Sequence, residues 1–366
     1  MSHHRSVAPE AGGHVPVIDL SSRDTARGRA ATASAIGRAC ERSGFFAVTG
    51  HGVPRDLIDR MYRVTSAFFA LPDEEKDLVA HRPGVSGFRR AGGRTAHSLG
   101  HETPPDLCEV FSAHATGELD RSERERLGGE WATWTQANIW PRSPAGFKDV
   151  WLEYMTAAGE LSAELMRLFA LALGLDERFF DDRFRRHGSS IAANHYYARS
   201  GPPLPGQLRR GEHTDFGALT VLHQQDGRSG LQVRRPDGAW HGIPATPGGF
   251  VVNIGDLMSL WTGGRWRSAL HRVVVPEEAD RSSRLSVPFF YMPDHDVSTA
   301  PLPPFAGRAD GFAARADGSA GRADGPDGGP DAGPAGGPGA GPDGRPAKDA
   351  PTVSDWVSDK MRKILT

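Results

Sequence analysis

The chain has 366 residues, 38% apolar and 24% charged, with 43 basic and 45 acidic side chains and a net charge of -2. That length suits one large domain or two ordinary ones, and the balanced charge argues against a nucleic-acid or membrane-surface partner. Two cysteines, Cys40 and Cys108, are too few for a disulfide framework or a cysteine zinc site and suit a reducing cytoplasm.

Residues 1–14 show no periodicity, no signal-like apolar core and no use for His3 and His4, so a disordered start is expected. "VPVIDLS" (15–21) alternates and reads as a short strand. The alanine-rich stretch after it predicts a helix ending near Ser43, where Gly44 stops it, with Cys40 as a small buried residue. "FFAVTGHG" is an apolar strand closed by a glycine turn. Leu57, Ile58, Met61, Val64, Phe68 and Phe69 recur at helical spacing until Pro72, and "PDEEKDLV" predicts a second, short helix. Residues 81–146 predict loops with one or two strands. The longest helix follows, its apolar face set by Val150, Tyr154, Leu161, Leu165, Leu168, Phe169 and Leu171, with Gly174 at its end. No stretch of about 18 apolar residues predicts a membrane span.

From about Ser190 the period changes to two. "IAANHYYAR", "ALTVLHQQ", "GLQVRR", "WHGIPA", "GFVVNIGD", "SALHRVVVP" and "RLSVPFFYMP" are short strands between turn signals, the pattern of an antiparallel sandwich or barrel. Asp237-Gly238 marks a hairpin. Ala306 to Pro351 is low in complexity, with "RADG" at 308–311, 315–318 and 322–325; too poor in apolar residues to offset its ordering entropy, it is expected to be disordered. A capped amphipathic helix resumes over 352–366.

His213 and Asp215, two apart before an apolar run, describe either a polar surface turn or two thirds of a metal site. On a strand, positions i and i+2 share a face, so both side chains can aim into one barrel mouth. His223, His241, His271 and His295 follow in the chain. Two histidines and a carboxylate leave three positions open, the ligand set of non-haem Fe(II) oxygenases. Arg284 and Ser286 form another i, i+2 pair, suited to clamping a carboxylate, although a lone Arg on a strand is more often solvated.

Together "HTDFGALTVLHQQD", "VVNIGDLMSLWTGGRWRSALHRV" and "RLSVPFFYMP" resemble the isopenicillin N synthase-like branch of Fe(II)/2-oxoglutarate-dependent oxygenases, and "VPVIDLS", "GFFAVTGHGVP" and "FFALPDEEK" resemble that family's N-terminal domain. The likeness spans nearly the whole chain except 306–351. It implies an α+β, mainly β fold: a double-stranded β-helix (jelly-roll, cupin-like) core at 189–305, an N-terminal domain of helices and strands at 15–146, a support helix and connector at 147–188, and a C-terminal helix. It implies that His213, Asp215 and His271 bind Fe(II), that Arg284 and Ser286 hold the distal carboxylate of 2-oxoglutarate, and that Asn194 and Tyr196 support that cosubstrate. O2 would be consumed as an unactivated C–H of a small molecule is hydroxylated, desaturated or cyclised, as in antibiotic biosynthesis. The carboxylate at Asp215 points to oxygenation and away from halogenation.

An isopenicillin N synthase-type oxidase without 2-oxoglutarate, an ethylene-forming enzyme, a silent jelly-roll binding module and a zinc hydrolase are the alternatives. His195 is expected on the opposite face from Asn194 and Tyr196, His223 and His241 towards solvent or the sheet's outer surface, and His295 exposed; one of Phe289 and Phe290 should reach the pocket. Phe88, Arg89, Arg90, Arg94, Asn138, Trp140 and Phe290 are the candidate substrate contacts, and a monomer or weak homo-oligomer is expected.

Overall fold

Gly44 closes the first helix because nothing else fits there. Its φ is +70°, and a Cβ would stand 2.0 Å from the carbonyl oxygen of Arg267. A computed structural model describes residues 14–92, 104–126, 136–198, 201–227, 230–275, 282–306 and 350–365. Arg94, the "RADG" repeats and nearly all of 1–14 and 306–351 lie outside them.

Strand β1 (Val17–Asp19) pairs in parallel with β2 (Phe45–Thr49), and helix α1 (Ala26–Arg42) crosses between them, its N-terminus capped by the Thr25 hydroxyl. Helix α2 (Arg55–Phe69) starts behind Pro54 and buries Leu57, Ile58, Met61, Phe68 and Phe69; α3 (Asp73–Asp77) follows Pro72. The next segment is richer in structure than its glycines suggest: β3 (Val85–Ser86), β4 (Phe88–Arg89), β5 (Glu109–His114), α4 (Arg121–Arg126) and β6 (Ala137–Asn138). Short strands separated by arginines and glycines carry too little periodicity to be read from sequence. Helix α5 (Phe147–Ala172) buries Trp151, Leu165, Leu168 and Phe169, each contributing about 1.5–3 kcal/mol by leaving water.

All seven expected strands of the β half form: β7 (Ser190–Tyr196), β9 (Leu219–Gln224), β10 (Leu231–Arg234), β11 (Trp240–Gly242), β12 (Phe250–Ile254), β13 (His271–Val273) and β14 (Arg284–Tyr291). An eighth, β8 (Arg210–His213), joins them. Helix α6 (Asp256–Trp261) precedes β13, and α7 (Val353–Leu365) ends the chain. The large sheet runs β1-β2-β12-β9-β14-β7-β5-β4, and a smaller one runs β11-β10-β13-β8. The two are the walls of the jelly roll. Gly238, at φ +85°, turns the β10–β11 hairpin.

Alternation along β14 explains the division of the interior. Leu285, Val287, Phe289 and Tyr291 join the core that holds the α5 side chains, while Arg284, Ser286, Pro288 and Phe290 face a cavity between the sheets. Among the described residues no helix is long and apolar enough to cross a membrane.

Candidate active site

The cavity has a volume of about 1120 Å³. His213 ends β8 and His271 opens β13, and the two are directly paired across the small sheet. Asp215 lies two residues past the end of β8, in the link to β9, and not on the strand, so strand alternation does not aim it. Hydrogen bonds do. Its Oδ2 accepts from the Thr220 hydroxyl at 2.6 Å and from Asn253 Nδ2 at 2.8 Å, which leaves Oδ1 free at 3.8 Å from Nε2 of each histidine. One donor atom from each of the three side chains lies within 4.8 Å of the others.

Each imidazole is aimed in the same way. Nδ1 of His213 lies 2.8 Å from the Gly211 carbonyl and Nδ1 of His271 lies 3.1 Å from the Ala269 carbonyl. A carbonyl only accepts, so each Nδ1 carries the proton and each Nε2 turns an unprotonated lone pair to the centre. Burial, with His271 and Arg210 nearby, pushes His213 far below its ordinary pKa. Burial alone would raise Asp215, but the two histidines and the Thr220 and Asn253 hydrogen bonds hold it below the usual carboxylate value. Two neutral nitrogens and one carboxylate oxygen on one side of a point fit a divalent ion with open positions opposite, the donor set of ferrous oxygenases.

Arg284 is 1% exposed and inside the cavity. One nitrogen donates to Gln224 Oε1 at 2.8 Å, and the guanidinium lies over the Tyr196 ring at 5.0 Å from its centre. Its Nε and Nη1 are buried without a partner among the described residues. A buried guanidinium missing two acceptors fits a carboxylate ligand. Ser286 is the next residue on that face and also lines the cavity. Register sets Arg284 opposite Tyr196 and Ser286 opposite Asn194, so these four residues form one patch of cavity wall.

The remaining sequence candidates divide. Arg89, Arg90 and Phe290 line the cavity, although Arg90 is tied to Asp73 and Asp77 at the surface. Phe88 is 2% exposed and packs on Phe68 and Phe69. Asn138 clasps the backbone of His114, and Trp140 donates to Glu118 while packing on Phe147 and Trp151. None of those three lines the cavity. His195 turns away from Asn194 as expected, to Glu109 and Phe69. His223 takes the sheet's outer surface and not solvent: it is 3% exposed, and its Nδ1 lies 2.9 Å from the Tyr62 hydroxyl, because α2 covers that face of β9. His241 is half-buried against His14, and His295 keeps 17% of its side chain exposed.

Several site residues were not legible beforehand. Gln224 and Thr220 could have been found by extending the period of two back along "LTVLHQ" from Gln224. Asn253, in the turn-like word "NIGD", reads as structural yet holds Asp215. The contribution of Val357, Ser358 and Met361 on α7 to the cavity has no signal in sequence.

A jelly roll with a two-histidine, one-carboxylate centre and a buried carboxylate clamp defines the class of ferrous oxygenases that take an oxo-acid cosubstrate. Residues 15–143 match the N-terminal domain of the non-haem dioxygenases in morphine synthesis, and residues 188–293 match the 2OG-Fe(II) oxygenase superfamily. The chain belongs to this superfamily, in its isopenicillin N synthase-like branch, and is a non-haem Fe(II)/2-oxoglutarate-dependent dioxygenase. It is 35% identical over 300 residues to validamycin A dioxygenase of Streptomyces hygroscopicus subsp. limoneus, covering 79% of this chain and 80% of that one. To a homoarginine-6-hydroxylase of Glycine max it is 32% identical, covering 75% and 82%. A full-length Neurospora crassa protein, solved in complex with alpha-KG and thymine, superposes with a TM-score of 0.69 at 27% identity, covering 79% and 88%.

Proposed function

We propose that His213, Asp215 and His271 hold the ferrous ion, and that Arg284 and Ser286, steadied by Gln224, Tyr196 and Asn194, hold the distal carboxylate of 2-oxoglutarate. The single observation that carries this reading is the buried Arg284, with two donors unpartnered among the described residues, lining the same cavity as the triad. When bound, iron and 2-oxoglutarate supply the oxidising chemistry, in which the oxo-acid becomes succinate and CO2 as O2 is reduced and a substrate C–H is oxidised.

The protein's own part is orientation. Backbone carbonyls fix both imidazoles, Thr220 and Asn253 restrict Asp215 to one free oxygen, and Arg284 fixes one end of the cosubstrate. Apolar Phe290, Pro288, Leu222, Val357 and Met361 keep the rest of the cavity poor in water. The substrate is a small molecule of secondary metabolism; the likeness to validamycin A dioxygenase supports a role in antibiotic biosynthesis. Two buried unpaired cysteines and a centre that requires ferrous iron fit work in the cytoplasm.

Calorimetric titration of 2-oxoglutarate into the Fe(II)-loaded protein without oxygen tests this. Tight binding is expected, with succinate formed once oxygen and a substrate are present. Binding that survives Arg284→Ala unchanged would overturn the assignment.

A further inference from the structure

Register places a second line of cavity residues at right angles to the cosubstrate patch. Asn253 on β12 pairs with Thr220 on β9, Thr220 with Phe290 on β14, Phe290 with Ser190 on β7, and Ser190 with His114 on β5. All five line the cavity. The first two hold Asp215, so the triad stands over one end of this row. His114 stands at the other end, three strands from Thr220, or about 14 Å across the sheet. Ser286 and Arg284 lie four and six residues along β14 from Phe290, so the clamp extends along the strand while this row extends across it.

The far end of the row is polar and incompletely satisfied. His114 Nδ1 and Gln136 Oε1 are both buried without a partner among the described residues, and both residues line the cavity. The chain ties the two together: Asn138, two residues after Gln136, bonds the backbone N–H and carbonyl of His114 at 2.8 and 3.0 Å. Gly117 makes room for that clasp, since a Cβ there would lie 2.3 Å from the Asn138 amide. Buried polar atoms in native proteins have partners, and two orphans lining one cavity point to a ligand that supplies them.

We propose that His114 and Gln136 receive a neutral hydroxyl at the remote end of an elongated substrate, whose oxidised carbon lies beneath His213, Asp215 and His271. A hydroxyl suits both atoms at once. It donates to Gln136 Oε1, and its oxygen accepts from His114 when Nδ1 carries the proton. Burial, with Arg89 and His81 nearby, pushes His114 down to about 4, so the ring is neutral at pH 7 and brings no charge for an anion. Phe290 lies midway along the row and supplies the apolar surface for the body of the molecule. The inference rests on the metal and cosubstrate assignment above.

The test uses rod-shaped probes of matched shape: 4-phenylphenol, biphenyl and biphenyl-4-carboxylate, together with 4′-hydroxyflavanone and flavanone. Each is titrated calorimetrically into the Fe(II)- and 2-oxoglutarate-loaded protein without oxygen. The hydroxylated member of each set is expected to bind at least about tenfold more tightly than its deoxy counterpart, the effect of leaving buried polar groups unmatched. That preference is expected to vanish in His114→Phe and in Gln136→Leu. If one variant unfolds in a thermal melt, the other carries the test. No hydroxyl preference in any set, a preference for the carboxylate, or a preference retained in both variants overturns the proposal. Failure of 2-oxoglutarate to bind the wild-type protein strikes at the cosubstrate assignment instead, and is read in a separate titration.

Discussion

At the scale of single residues, the centre depends on which oxygen of Asp215 is left free. Thr220 and Asn253 occupy Oδ2, so only Oδ1 faces the histidines. Removing one of these donors lets the carboxylate rotate and leaves its aim to the other. Asn253→Ala is therefore expected to weaken Fe(II) affinity by about 10–100-fold, measured by calorimetry under anaerobic conditions, with the secondary structure intact by circular dichroism. An unchanged affinity would falsify the orienting role. Arg284→Met tests the other end of the cavity. Loss of a buried charged partner costs on the order of 2–5 kcal/mol, so 2-oxoglutarate should bind at least about 30-fold more weakly while Fe(II) affinity stays as it was. The proposed ligands could be named from the sequence through its resemblance to the oxygenase family, carried by HxD, a later histidine and RxS taken together. Asn253 could not, because an amide at a strand end has many structural uses, and only the fold brings it to a carboxylate 38 residues away.

Among the elements, strands and helices with a clear period were read correctly, and the errors fall where tertiary contacts decide. Alternation would have set Asp215 on a strand; β8 stops at His213 because the chain must turn towards β9, and hydrogen bonds replace the period in aiming the carboxylate. For His223 the sequence leaves solvent and the sheet's outer surface open; the structure gives the outer surface, with α2 lying on it. Tyr62 from that helix donates to the His223 carbonyl and meets the His223 ring, which also packs edge-on to Phe250. Burial pushes this imidazole from 6.5 down to about 4. Above pH 6.5 neither the folded nor the unfolded chain protonates the ring; as pH falls towards 4 only the unfolded chain does, so stability is lost across that window, on the order of 2–3 kcal/mol from this group. Thermal melts from pH 7 to pH 4 should fall less steeply for His223→Phe than for wild type; parallel curves would reject a buried neutral histidine. Helix α7 is a second case of context over pattern. Its amphipathic face was visible, its place over the cavity was not. Lys360 pairs with Asp256 at 2.5 Å, and Asp256 also accepts from Thr214, between the two ligands of the HxD motif. Lys360→Met should raise amide exchange across 353–365 and loosen 2-oxoglutarate coupling, seen as more succinate formed per substrate oxidised. If exchange there matches wild type, the pair is not what holds the helix.

For the whole molecule, the large sheet serves as one surface with two directions. Along β14 it leads from the triad to Arg284, across the strands from the triad to His114, while α2 and α5 pack on its other face and α7 borders the cavity. That arrangement needs α7 in place, and residues 307–349, which precede it, lie outside the described structure. The chain on either side is already fastened. Ser298 bridges to Thr352, Thr299 N–H donates to the Pro351 carbonyl, and Val353 and Ser354 donate to the carbonyls of Val297 and His295. Val353 and Val357 are then buried in the main core. A closure made by these contacts depends only weakly on the length of chain between them, because loop entropy grows only as the logarithm of length. Replacing 307–349 by about eight Gly/Ser residues, enough to span up to about 28 Å, should therefore leave 2-oxoglutarate affinity and substrate-dependent succinate formation unchanged. The melting temperature should stay level or rise slightly, since the shorter loop costs about 1.5 kcal/mol less entropy to close. Measured melts and calorimetric titrations on the shortened chain decide it: a protein that melts well below wild type, or binds 2-oxoglutarate markedly more weakly, would show that the segment contributes to the jelly roll or to its cavity and does not merely connect two pieces that already meet.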